Sequence, residues 1–235
     1  MLVGGFCSKE VSCMQLDSRL SAVANLVRKN KTFADIGTDH AYLPVWLIEN
    51  GIINNAIAAD LRKGPLENAR ETVVAHNLSD KVTLRLSDGL DNFKENEIQE
   101  IAVAGMGGLL ISEFIERTQW LKNTDVHLIL QPMTHAEELR KTLYDNGFYI
   151  DCEKVAVDGD KLYIIISTYF NGETQKYSDI DLICGLLPKN TDVNSLKYLD
   201  HLFDKYNKKL LALKKAEKEC AELEAIVGEL KKWQQ

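Results

Sequence analysis

The sequence predicts an α/β protein: a doubly wound, mainly parallel sheet that ends in an antiparallel hairpin, followed by a C-terminal α-helical, coiled-coil-like segment. Three observations predict it. Short apolar strand patterns alternate with helical patterns from residue 16 to residue 147, as repeated β–α units do. After Gly147 two strand patterns follow each other directly, separated only by Asp158-Gly159-Asp160, a hairpin signal. From Ser195 onward apolar residues recur at three-or-four spacing, the seam of a packed helix. A chain of 235 residues can bury one sizeable core with an appendage.

Leu16 to Asn30 reads as a helix with Leu16, Leu20, Val23, Ala24 and Val27 on one face, and Thr32 to Gly37 as a short strand stopped by a glycine. A helix follows from about Ala41 to Asn50, closed by Gly51. Ala56 to Asp60 is a second strand ending in a carboxylate, and Pro65 suits the first turn of a helix running to about Asn77. Val82 to Leu86 alternates with period two and leads into Ser87-Asp88-Gly89. Ile98 to Ala104 is a continuous apolar strand, of the kind buried on both faces, ended by Gly105-Met106-Gly107-Gly108 with a helix over Leu109 to Arg117. Val126 to Leu130 is another buried strand, ended by Gln131-Pro132. Thr134 with Glu137 three residues on spells a capping box for a helix that Gly147 closes. Phe148 to Val157 and Lys161 to Phe170 then complete five β–α units with an antiparallel pair. Residues 171–194 read as a linker of mixed character. In residues 195–235, Leu199, Leu202, Tyr206, Leu210, Leu213, Ala216, Cys220, Leu223, Val227 and Leu230 form one seam with a stutter. As one helix of about 40 residues it would reach roughly 60 Å; it could also fold back as a hairpin, although no Gly or Pro marks the turn.

Hydrophobic residues at 45% and charged residues at 27% exclude a mainly disordered chain. No apolar run approaches the roughly 18 residues of a membrane span. The opening Met1 to Cys7 is too short for a signal peptide and is followed by Lys9 and Glu10. A cytoplasmic protein without a membrane segment is expected. The net charge of −7 argues against uniform coating of nucleic acid. The charge is polarised, however: from Lys197 to Lys218 seven lysines face only Asp200, Asp204 and Glu217. Cys7, Cys13, Cys152, Cys184 and Cys220 are scattered, without a C-x-x-C pair. They read as free thiols, and no metal site is implied.

The chemistry is expected at four strand ends: Asp35-Ile36-Gly37-Thr38-Asp39, Asp60, Asp88 and Gly105-Met106-Gly107-Gly108. A glycine turn after the first strand lets backbone approach a ligand. A carboxylate about 20 residues later can accept both hydroxyls of a ribose, and a third acid can accept from an exocyclic adenine amine. These terms describe an adenosine pocket. The G-x-G-x-x-G pattern of a dinucleotide site is missing, since Asp39 and Ala41 stand where further glycines are expected. A carboxylate there would repel a pyrophosphate. It suits the cationic sulfonium and ammonium of S-adenosylmethionine.

The runs Asp35-Ile36-Gly37-Thr38-Asp39-His40-Ala41-Tyr42-Leu43-Pro44, Ala104-Gly105-Met106-Gly107-Gly108 and Leu130-Gln131-Pro132, with Ser18-Arg19-Leu20 near the start, resemble the bacterial tRNA adenine-22 N1-methyltransferase family. The resemblance covers residues 14–170. It implies a Rossmann-like class I methyltransferase domain there, S-adenosylmethionine as cofactor, tRNA as substrate, and a C-terminal coiled-coil domain over 195–235. Because it begins near Met14, that residue is expected to be the natural initiator and residues 1–13 an extension. Enzymes that methylate an exocyclic adenine amine usually carry Asn or Asp and Pro-Pro after the fourth strand. Gly105-Met106-Gly107-Gly108 replaces that motif, as fits a target nitrogen that already has an in-plane lone pair.

The expected cofactor residues are Asp35, Gly37, Thr38, Asp39, Asp60, Leu61, Asp88, Gly89, Ala104, Gly105 and Met106. Asp60 takes the ribose, Asp88 the adenine amine and Asp35 the ammonium; each acid also has a plain reading as a turn or cap residue. His40, Tyr42 and Gln131 are the expected catalytic residues, the first two stacking on or bonding the target adenine and Gln131 reading its edge. Arg19 is expected to meet the methionine carboxylate or an RNA phosphate, with a surface ion pair as its plain reading, and the tail lysines Lys208, Lys209, Lys214 and Lys215 are the expected RNA contacts. Three other readings stay open at this point: a methyltransferase for a small molecule or protein with a dimerising tail, a non-catalytic interaction module, and, most distant, a nicotinamide dehydrogenase. The oligomeric state is open as well.

Overall fold

The computed structural model describes residues 14–234; the extension 1–13, with Cys7 and Cys13, lies outside them and Met14 is the first residue described. Seven strands, β1 (Phe33–Ile36), β2 (Ala56–Asp60), β3 (Val82–Leu86), β4 (Glu100–Met106), β5 (His127–Pro132), β6 (Phe148–Asp158) and β7 (Lys161–Phe170), form one sheet in the order β3-β2-β1-β4-β5-β7-β6. The first five are parallel and β7 runs antiparallel to both β5 and β6. The strand order reverses between β1 and β4, the point at which open α/β sheets bind ligands.

The helices cover both faces, because the buried strands alternate which side they feed. Ile101, Val103, Leu128 and Leu130 pack with α4 (Gly108–Arg117) and α5 (Ala136–Asp145). Ala58, Ala102 and Ile129 pack on the other face with α1 (Ser18–Ala24), α2 (Tyr42–Glu49) and α3 (Lys63–Ala75). Side-chain period two on the strands makes this two-faced burial possible.

Several boundaries differ from the sequence reading. The first helix is only seven residues long: the Asp17 side chain accepts from Leu20 N, which starts it after Leu16, and the chain turns at Asn25. Val27 is still buried, in that turn. The strand expected to end at Ala104 continues to Met106, with a register shift between the two. Gln131 and Pro132 likewise belong to β5 rather than following it. No helix joins β3 to β4: Ser87 and Asn92 tie residues 86–92 into turns through side-chain bonds to Gly89 O and Leu86 O, with Leu90 and Phe93 buried beneath. The Thr134 capping box does not form. The α5 N-cap is His135 in a left-handed conformation, while Thr134 O accepts from Gly108 N at 2.8 Å and Glu137 accepts from the Tyr206 hydroxyl at 2.8 Å.

The region 171–194 is not a free linker. It holds α6 (Asp179–Cys184) and a 3-10 turn at Leu187–Lys189, with Ile183, Cys184 and Leu187 in the core. The fully buried Arg140 guanidinium clamps it there, meeting Glu153 on β6 (2.8 Å), Leu182 O (2.7 Å) and Ile183 O. Glu153 also accepts from Leu186 N at 2.9 Å. Gly185, at φ +56°, permits the crossing: a Cβ would lie 2.0 Å from the Glu153 carboxylate. Of the two forms open for the tail, the structure has the hairpin, α7 (Val193–Lys215) and α8 (Ala221–Leu230), turned at Glu217 with φ +51°. Leu199, Leu202 and Leu230 join the sheet domain's core, whereas Leu210, Leu223 and Val227 form a small cluster of their own. A second polar strut crosses the opposite end of the strands. Buried Glu100 accepts from Arg28 and contacts His127, whose other nitrogen is 2.7 Å from Ser167 Oγ. Ser167 in turn donates to Asp151 and is only 2% exposed. The serine–histidine–carboxylate order is therefore a brace, with no access for a substrate.

Arg140→Met leaves a buried carboxylate and two carbonyls without their donor. It is expected to cost about 3–5 kcal/mol in urea unfolding, partly recovered in the double variant with Glu153→Leu. A loss below about 1 kcal/mol would place the clamp among surface-like pairs.

Candidate active site

A cleft of about 410 Å³ opens at the carboxyl ends of β1, β2 and β4. Asp35, Gly37, Thr38, Asp39, His40 and Tyr42 reach it from the β1–α2 turn, Asp60 from β2, Ala104 and Gly105 from β4, and Arg19 from α1. Ten of the expected site residues thus meet in one place. The pairing of Asp35 with Ala58 and Ile36 with Ala59 puts the two acid-bearing strand ends side by side.

The turn that follows β1 is built to offer acids rather than amides. Gly37 N and Thr38 N both donate to Ala59 O, at 2.8 and 2.9 Å. Thr38 Oγ1 accepts from Ala41 N at 3.0 Å, and Ala41 enters α2 left-handed at φ +55°. Three amides of the turn that could turn toward a phosphate, those of Gly37, Thr38 and Ala41, are therefore occupied within the fold. Gly37, at φ +79°, is required twice over, because a Cβ would lie 2.1 Å from the Met106 methyl that packs on it. Asp35 and Asp60 are each only 8% exposed. Burial pushes the Asp35 carboxyl up to about 6, against the opposing influence of Thr38 and Arg19 and with a further push from Asp60. Asp60 accepts from Arg62 N at 2.8 Å.

Arg19 and Gly105 are fixed from behind by a single side chain. The Gln131 amide is fully buried; its oxygen accepts from Arg19 (3.1 Å) and from Gly105 N (3.0 Å), and its nitrogen donates to Pro132 O (3.0 Å). Gln131, expected to read the substrate base, is buried with both amide atoms bonded within the fold, and it ties Arg19 to the end of β4. His40 and Tyr42 do stand at the mouth. Their rings stack with centroids 4.9 Å apart and 8° between planes, and His40 is 3.2 Å from the Asp39 carboxylate.

Four expected cofactor residues do not line the cleft. The Asp88 carboxylate is paired with Arg117 at 3.0 Å, and Arg117 also bonds Asp88 O. Gly89 lies against the Phe114 ring. Leu61 is 62% exposed just beyond Asp60, and Met106 packs behind Gly37. The tail lysines are not in the cleft either: Lys208, Lys209, Lys214 and Lys215 are exposed on α7, with Lys214 paired to Glu224 at 2.6 Å. Conversely, Asp17 and Arg62 line the cleft without having been foreseen. Asp17 was legible as an N-cap before Ser18-Arg19-Leu20, whereas nothing local marks Arg62. Among the described residues no group of three or more His, Cys, Asp or Glu is gathered as a metal site, no helix is long and apolar enough to cross a membrane, and Cys152, Cys184 and Cys220 are free.

Sheet order and cleft together define a class: a Rossmann-like methyltransferase fold with an acid-lined nucleoside site at its switch point. In agreement, a family model described as a methyltransferase domain matches residues 16–166. The Bacillus subtilis tRNA (adenine(22)-N(1))-methyltransferase is 33% identical over 174 residues, which cover 74% of this chain and 73% of that one. A Streptococcus pneumoniae candidate tRNA (m1A22) methyltransferase, solved in complex with S-adenosyl-L-methionine, superposes with a TM-score of 0.81 at 31% identity, covering 94% of this chain and 100% of that one. The crystal structure of the B. subtilis m1A22 tRNA methyltransferase gives a TM-score of 0.77 at 27% identity, covering 93% and 95%. The chain belongs to the tRNA (adenine(22)-N(1))-methyltransferase family.

The raised Asp35 carboxyl generates a prediction with two opposite signs. In the unliganded fold it holds its proton up to about pH 6, against an ordinary value of 3.8. Stability is therefore full below about pH 4, lost between about pH 4 and 6, and lower by about 3 kcal/mol above that window. Asp35→Asn should raise the melting temperature of the free protein at pH 8 by a few degrees and weaken S-adenosylmethionine binding at least tenfold. Wild-type affinity for that cation should fall as the pH drops through about 6, a dependence the variant lacks. Calorimetric titration from pH 5 to 8 measures both; a pH-independent wild-type affinity contradicts the assignment.

Proposed function

We propose that this protein methylates N1 of adenine 22 in tRNA, using S-adenosylmethionine. The observation that carries this reading is the pair of buried carboxylates, Asp35 and Asp60, beside a turn whose Gly37, Thr38 and Ala41 amides are already bonded within the fold. Such a site favours a nucleoside bearing positive charge over one bearing phosphate. S-adenosylmethionine supplies a methyl group made electrophilic by its bond to a sulfonium. On this reading Asp60 accepts from the ribose hydroxyls and Asp35 and Asp39 face the cationic end. Arg19, held by Gln131, meets the carboxylate of the methionine portion.

No side chain has to remove a proton. The N1 lone pair of neutral adenine lies in the ring plane, and its attack moves a positive charge from sulfur to the base without changing the net charge of the site. The acids that favour the charged cofactor therefore also face the charged product. What the chain contributes is alignment and exclusion of water. Gly105 brings backbone close to the reacting centre, and the stacked His40–Tyr42 pair at the mouth is the surface against which an extruded base rests. A paired adenine must leave its stack to arrive there. The domain assignment follows: residues 14–170 hold the cofactor, and the α7–α8 hairpin, lysine-rich on its exposed face, acts as the coiled-coil-like tRNA grip.

Incubating the protein with unmodified tRNA and S-adenosylmethionine, then digesting and analysing nucleosides by mass spectrometry, tests this. One 1-methyladenosine per acceptor tRNA, mapped to position 22 and absent when adenine 22 is replaced, is expected. Methyl transfer to N6, or to a small molecule or protein in place of tRNA, overturns the reading.

A further inference from the structure

A second cleft, of about 440 Å³, runs between the β5–α5 turn, the β6–β7 hairpin and α7. Parts that are far apart in sequence meet there: Met133 after β5, Lys161 and Tyr163 from the hairpin, and Tyr198, His201 and Lys205 from α7. We infer that this cleft is a subsite for a single-stranded RNA nucleotide flanking the methylated adenine. Its phosphate is held by Lys161 and Lys205, and its base rests on the tyrosines. The inference rests on the tRNA reading above and adds a binding site to it.

Three observations converge on that occupant. The first is continuity with the reaction site. Met133 N donates to Met106 O at 2.7 Å, and its sulfur accepts from the Gln131 amide at 3.6 Å. The inner wall of this cleft is therefore braced by the same side chain that holds Gly105 and Arg19. Met133 is nonetheless 49% exposed, so it offers apolar surface to this cleft. The second is charge. Lys161 is exposed and has no carboxylate within ion-pair distance among the described residues. Lys205, at 3.6 Å from Glu137 and 5.1 Å above the Tyr206 ring, keeps 56% of its side chain exposed. Glu137 and Asp160 also border the cleft, so Lys161 and Lys205 are the two side chains there that offer an anion a permanent positive charge. The third is aromatic surface. Among the described residues neither the Tyr163 nor the Tyr198 hydroxyl makes a hydrogen bond, and the Tyr198 and His201 rings lie 6.4 Å apart. Aromatic faces beside long-stemmed cations suit a stacked base with its phosphate, the arrangement that single-stranded nucleic acid favours.

The test is steady-state methylation of tRNA by the full chain carrying Lys161→Glu, Lys161→Gln, or Lys161→Glu with Lys205→Glu. Binding of S-adenosylmethionine by calorimetry serves as the fold control. The expected result is a KM for tRNA raised about tenfold or more in the double variant, with kcat and cofactor affinity within about twofold of wild type. The slope of log KM against log salt should fall by about one for each phosphate that is no longer neutralised, and Lys161→Arg should restore wild-type behaviour. If Lys161→Glu abolishes cofactor binding through misfolding, Lys161→Gln carries the same comparison. An unchanged KM and salt slope overturn the subsite. So does a fall in kcat at constant KM, or a change of oligomeric state in place of a change in KM. A wild-type protein that leaves tRNA unmethylated removes the tRNA reading itself, a failure distinguishable from that of the subsite alone.

Discussion

Two carboxylates, Asp35 and Asp60, are held nearly out of water on neighbouring strand ends, and the rest of the site follows from that juxtaposition. Burying an anion is costly unless it is paired, and two of them side by side add repulsion. The parallel register of β1 and β2 nevertheless enforces the pairing, and the Asp35 carboxyl responds by holding its proton to about pH 6. A fold that carries this strain in its free form has a reason to bind a cation there. The same loop has fewer amides to offer a phosphate, because Gly37 N and Thr38 N are committed to Ala59 O.

The acids need a rigid counterpart across the switch point, and Gln131 provides it. One buried amide fixes Gly105 on β4, Arg19 on α1 and the end of its own strand. Gly105 and Arg19 line the cleft directly, so the geometry on that side depends on a buried residue bonded to both. The Arg140–Glu153 clamp plays a comparable part further out. It draws residues 182–186 into the core, and Leu199, Leu202 and Leu230 dock the helical hairpin against the same sheet domain. The tail is thereby joined to the domain that carries the chemistry.

Much of this was legible in the sequence, for identifiable reasons. Strands β2, β3 and β7 begin and end where their apolar patterns do, and the terminal hairpin is announced by Asp158-Gly159-Asp160. The acids at the ends of β1 and β2 line the strand-end cleft. The misses have tertiary causes. Gly105 and Gly107 look like a strand terminus, but pairing with β5 carries the strand through Met106 by way of a register shift. Gln131 looks like a polar residue after a strand, and only the fold shows Arg19 and Gly105 N converging on it. Asp88 follows the expected spacing, yet Arg117, 29 residues on, takes its carboxylate. The linker reading failed because its partner, Arg140, is an ordinary helix residue until Glu153 lies opposite it.

The central claim is that the strand-end cleft selects a cationic nucleoside and rejects a phosphorylated one. The most direct measurement is a side-by-side calorimetric titration of the intact protein with S-adenosylmethionine and with NADH at pH 8. The account predicts saturable one-to-one binding of S-adenosylmethionine and no heat of binding from the dinucleotide. Dinucleotide binding of equal or greater strength would contradict it.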